Sequence, residues 1–112
     1  MRDIWIRDAE GRQLRDLGGC GLSTEVWNAL YPLLAENRNR PLLARLWHEQ
    51  WGPAADASLS PSEVEALASE LDTLRAELGP ETSAVVGEFC DELAALCSEA
   101  RQRGSGLEFV AD

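Results

Sequence analysis

The chain opens on alternation: Ile4 and Ile6 share one side, and Asp3, Trp5 and Arg7 share the other. A period of two is the signature of a half-buried strand. Asp8-Ala9-Glu10-Gly11 reads as a turn, and residues 12–17 return to a strand-like register, which predicts an N-terminal β-hairpin. Gly18-Gly19-Cys20-Gly21 interrupts the pattern and leads into helices.

From Ser23 onward the period changes. Ser23 or Thr24 can cap a helix whose stripe is Val26, Trp27, Leu30, Leu33 and Leu34, with Pro32 expected to kink or split it. Asn37-Arg38-Asn39-Arg40 reads as a connector, and Pro41 suits the first turn of a short second helix. Its apolar side is Leu42, Leu43, Leu46, Trp47 and Trp51, and Gly52-Pro53 ends it. Residues 54–59 read as a polar linker of small residues. Ser60-Pro61-Ser62-Glu63 then carries a capping box with proline at the first helical position. Val64, Leu67, Leu71, Leu74 and Leu78 follow at alternating spacings of three and four until Gly79-Pro80 stops the helix. A fourth helix is expected from about Pro80 to Arg103, with Val85, Val86, Phe89, Leu93, Leu96 and Ala100 inward. After Gly104-Ser105-Gly106, residues 107–110 alternate again and predict a short last strand returning to the hairpin. The expected fold is α+β: a mostly helical two-layer single domain over residues 1–112, with an N-terminal β-hairpin and a short C-terminal strand packed on about four helices.

Charge changes this picture more than size does. Residues 1–51 balance seven arginines against seven acids, whereas residues 52–112 hold three arginines against thirteen acids. The whole net charge of −10 therefore lies in the second half. Such a chain repels phosphates, which argues against nucleic acid and anionic membranes as partners. The N-terminus lacks the apolar run of a signal peptide, and no stretch is long enough for a membrane span. Three cysteines without CxxC spacing point away from a disulfide framework or a zinc site, so the cytoplasm is the expected compartment.

On a helical wheel Glu63, Glu70 and Glu77 form a ridge along one edge of the third helix's leucine stripe, with Glu65 and Asp72 along the other. Glu81, Glu88, Glu92 and Glu99 form a second ridge on the fourth helix, with Asp91 farther round. Packed antiparallel, the ridges either face each other across a groove or both turn outward. The expected partner-binding residues are Glu63, Glu70, Glu77, Glu88, Asp91, Glu92 and Glu99. The competing reading is a solvated surface that keeps the protein soluble.

Catalytic signals are weak. His48 is the only histidine and has no nucleophile at a recognisable spacing. Cys20 sits in a glycine-rich stretch open to reading as an exposed nucleophile, though a structural role is the simpler expectation. Cys90 and Cys97 fall on the inner side of the fourth helix as small hydrophobes. No calcium loop, Walker A motif or dinucleotide fingerprint is present, so neither a metal nor a cofactor is expected. Trp5 belongs either to the core, which is favoured, or to a surface anchor. The pattern implies a small acidic cytoplasmic binding protein, not an enzyme, that neutralises a basic protein partner. A bacterial immunity protein or antitoxin facing a nuclease-like toxin is the concrete form. The alternative is an acidic chaperone or adaptor for a secreted effector, which would be dimeric with an exposed apolar groove. Monomer or dimer stays open.

Overall fold

The computed structural model describes residues 2–35, 41–46, 57–79 and 82–111. Within them the order is β1 (Arg2–Arg7), a 3₁₀ turn (Arg15–Leu17), β2 (Gly19–Leu22), α1 (Thr24–Ala35), α2 (Pro41–Leu46), β3 (Ala57–Leu59), α3 (Pro61–Glu77), α4 (Ala84–Arg103) and β4 (Gly106–Ala111). The strands form one antiparallel sheet in the order β2-β1-β4-β3. The last strand does return to the hairpin, so the α+β architecture expected from the sequence is the one observed. Among the described residues no helix is long and apolar enough to cross a membrane.

Register explains the core. Ile4 lies opposite both Cys20 and Phe109, Ile6 opposite Leu107, and Leu59 opposite Leu107. These side chains all point to one face and are buried with Leu22. The helices cover that face. Val64, Leu67, Leu71 and Leu74 of α3 and Val86, Phe89, Leu93, Leu96 and Ala100 of α4 close the core with Val26, Leu30 and Leu34 of α1. The opposite face, carrying Asp3, Trp5, Arg7, Glu108 and Val110, stays partly open.

Helix ends follow their local chemistry. The Ser60–Glu63 capping box is present with Pro61 in the first turn, Ser83 caps α4, and Gly104 ends α4 in the left-handed conformation at φ 64. Pro32 lies inside α1, which runs through it to Ala35.

Several local expectations shift. The second hairpin strand is Gly19–Leu22, not residues 12–17, which carry one isolated bridge (Arg7 to Gln13) and the 3₁₀ turn. Residues 57–59, read as linker, form the edge strand β3. α4 begins at Ala84, and Val85 is 39% exposed because it stands about 100° round the helix from the buried Val86. Leu33 is likewise 40% exposed, beside the stripe that Val26, Leu30 and Leu34 draw on α1. Cys20 is buried, in line with its structural reading, but it lies in a strand and not in a loop. Trp5 is on the open face of the sheet instead of in the core. The expected positions of Trp47, His48, Trp51 and Glu81, and the connector at 37–40, lie outside the described residues.

Candidate functional site

Two ion pairs set α3 and α4 against each other. Glu65 meets Arg101 at 3.8 Å near one end of the hairpin, and Arg75 meets Asp91 at 3.5 Å near the other. Their residue spacing is equal on both helices and runs in opposite directions, as an antiparallel pair requires. The Arg75 guanidinium lies beside Gly87, where a Cβ would stand 3.4 Å from it, an ordinary contact distance. All four charged groups are substantially exposed, so each pair contributes only about 0–1 kcal/mol and acts mainly on register.

The edge of α3 that faces α4 is therefore the one bearing Glu65 and Arg75. The ridge of Glu63, Glu70 and Glu77 turns the other way. Glu63 completes the capping box: its carboxylate accepts from Ser60 N–H at 2.9 Å, and its own N–H donates to Ser60 Oγ at 3.3 Å. Glu70 reaches α2, accepting from Leu42 N–H at 2.9 and 3.2 Å and from Leu43 N–H at 2.9 Å. Both carboxylates hold the fold together, and the wheel analysis alone missed the second role. Glu77 is exposed in the last turn of α3.

On α4, Glu99 accepts from Arg103 Nε at 2.9 Å one turn on. Glu88 and Glu92 are exposed, and neither has an ion pair among the described residues. Glu88 lines an open cleft with Arg75, Thr82, Ser83, Gly87 and Asp91. Glu92 lies toward β2, where its charge helps to raise the pKa of Cys20. Glu70 thus turns toward α2, whereas Glu88 lines the cleft beside Arg75 and Asp91. The ridges do not form one groove.

The thiols are poor nucleophiles. Burial pushes the Cys20 thiol up to about 12, with Glu92 adding to the effect. Burial likewise raises Cys97 to about 12, against the opposing pull of Arg101, and raises Cys90. A thiolate is the reactive form, and it is scarcely populated at neutral pH under these conditions. Among the described residues no cluster of three or more His, Cys, Asp or Glu is placed to hold a metal ion.

The open sheet face holds a second arrangement that sequence reading did not resolve. Trp5 lies flat against Gly19, where a Cβ would stand 2.6 Å from its ring. The Arg15 guanidinium stacks over the indole at 5.0 Å. Arg15 donates to Gln13 Oε1 at 2.8 Å, and Gln13 donates to Glu108 Oε2 at 2.8 Å, which ties the loop to β4. The charges on this face balance, in contrast to the helical layer. Comparison of the chain with models of known protein families, with curated proteins and with solved structures finds no match in any of the three.

Proposed function

We propose that this protein is a small acidic cytoplasmic binding protein that captures a basic protein partner, most concretely an immunity protein or antitoxin neutralising a nuclease-like toxin. One observation carries the reading. Residues 61–103 contain ten acids and three arginines, and each of those arginines is already engaged with a carboxylate. Among the described residues Glu88 and Glu92 have no ion pair, and they present their charge at the surface. A nuclease needs a positive cleft to hold phosphates, and a carboxylate surface is complementary to it. Glu63 and Glu70 belong to the scaffold of this surface, while Glu88, Glu92 and Asp91 are its exposed centre.

The chaperone reading rests on a different observation, the exposure of Tyr31 (39%) and Leu33 (40%) on one turn of α1. The test uses the products of neighbouring genes as candidate partners, with stopped-flow association measured at low and high salt. Steep salt dependence, with association slowed about tenfold or more by Glu88→Arg with Glu92→Arg, is the expected result. Salt-insensitive binding that survives both reversals, yet is lost in Trp5→Ala or Leu33→Ala, overturns it.

A further inference from the structure

The sheet ends in an open edge at β2, and its geometry can be read from the neighbouring turn. Leu14 N–H donates to Ile6 C=O at 2.8 Å and Asp8 N–H donates to Arg12 C=O at 2.9 Å, so the main-chain groups of Ile6 point toward the β2 side of β1. Alternation along β1 then directs those of Ile4 and Arg2 to the same side. Their partners in register are Cys20 and Leu22, which must therefore spend their N–H and C=O groups on β1. Gly19 and Gly21 point the other way, with their N–H and C=O groups aimed out of the sheet. Both residues are exposed, and β2 pairs with β1 alone among the described strands.

Natural edges are usually guarded by proline, lysine, a bulge or a covering element. Among the described residues this one has two glycines, and neither proline nor lysine. Gly19 is bare because the Trp5 ring lies against it. Gly21 has no such reason: its φ is not in the left-handed region, and a Cβ would meet only the Asp3 carboxylate, at 3.8 Å. The edge is flanked by acids on both faces, with Asp3 beside Gly21 on the open face and Glu92 near Cys20 on the helical face; both carboxylates act on the Cys20 thiol.

We propose that β2 is a docking edge that takes an extended segment of a basic protein as a fifth strand. Main-chain hydrogen bonds to Gly19 and Gly21 hold the segment in antiparallel or parallel register. Its basic side chains lie over the bare glycine row on the Asp3 side, by Gly21. Its alternate, apolar side chains continue the row of Cys20 and Leu22, with Glu92 at the rim. A second copy of this chain is disfavoured by its own charge of −10. The inference rests on the reading of a basic partner and adds where and in what conformation that partner binds.

The probe is a capped peptide of alternating arginine and valine, with a glutamate-for-arginine counterpart as control. Amide exchange by NMR on the intact protein gives the sharpest readout. The Gly19 and Gly21 amides should exchange freely without peptide and slow by about tenfold or more at saturation, while the Cys20 and Leu22 amides are protected throughout. Gly21→Pro removes the outward N–H at a place where an edge strand tolerates proline, and should weaken peptide binding about tenfold. Gly21→Ala keeps the N–H but sets a methyl in the bare row, and should weaken binding less than Gly21→Pro does. Binding of the arginine peptide that is unchanged in Gly21→Pro and leaves Gly21 unprotected overturns the docking edge, while the acidic-surface reading stands. Equal protection of Gly21 by the glutamate peptide overturns the basic-partner reading on which the inference rests. Absence of binding by either peptide overturns the edge as well.

Discussion

Glu70 offers a direct measure of how far the acidic helices serve folding before they serve binding. α2 is six residues long, too short to persist by itself, and its first N–H groups need acceptors. Pro41 carries no N–H, and the residue before it in the sequence, Arg40, has no acceptor in its side chain. Glu70 supplies the missing acceptor from α3, taking Leu42 N–H and Leu43 N–H together. A conventional cap is worth ~0.5–2 kcal/mol, and a carboxylate at a helix N-terminus adds about 0.3–1 kcal/mol. Glu70→Ala should therefore cost about 2 kcal/mol. The loss has a ceiling: if α2 undocks, Leu42 and Leu43 leave the core at roughly 2 kcal/mol each. Urea unfolding followed by circular dichroism should show the midpoint falling by roughly 1 M, and thermal unfolding a drop of about 6–12 °C. Glu70→Gln keeps an acceptor but loses the charge, and should fall between the two. A Glu70→Ala protein within about 0.5 kcal/mol of native, the range of an ordinary surface change, would refute this account of α2.

Two further predictions concern the core and the thiols. Leu71→Ala, at a site only 1% exposed, should cost ~2–5 kcal/mol, whereas Ser60→Ala should cost about 1 kcal/mol; equal losses in urea melts would contradict the assigned inner face of α3. The Cys20 and Cys97 thiols titrate near 9.0 in an unfolded chain and at about 12 when folded. Between those values the unfolded state releases protons that the native state keeps, so stability falls as pH rises through that window and is level below it. Melting temperatures recorded from pH 8 to pH 11 should decline, with a shallower slope in Cys97→Ala; an unchanged slope would show that the buried thiol does not govern the decline.

The helical layer was legible because its signals are local. Ser60-Pro61-Ser62-Glu63 carries its own capping chemistry, and the leucines after it mark one face without reference to any partner. β2 was harder to see. Its sequence, Gly-Cys-Gly-Leu, does alternate, but glycine hides the open-face half of the period and reads as a breaker. The reason for Gly19 is Trp5, fourteen positions earlier, which only the sheet register brings to it. Residues 12–17 misled in the opposite direction, because Leu14 and Leu17 stand three apart and pack partly against the core from a turn. β3 is three residues long and exists because β4 offers it an edge. The Glu70 contact is equally invisible to periodicity: a helix can be capped from another helix, and no local motif records that.

The sequence halves differ in charge, yet both supply strands to one sheet. β1 and β2 from the neutral half and β3 and β4 from the acidic half share one sheet, with β1 and β4 side by side at its centre. The asymmetry is instead carried across the layers. The open sheet face sets Arg7 and Arg15 against Asp3 and Glu108 around Trp5, while the α3–α4 layer carries acids in excess of its arginines. Part of that excess is spent on structure, through Glu63 and Glu70 at helix starts and Glu65, Asp91 and Glu99 on arginines. Glu88 and Glu92 have no such internal use among the described residues. Glu92 is also the acid of α4 whose charge acts on Cys20 of the open strand β2. An incoming basic segment would meet charge and unpaired main chain at the same rim, so capture by long-range attraction and fixation by directional hydrogen bonds would act at one place.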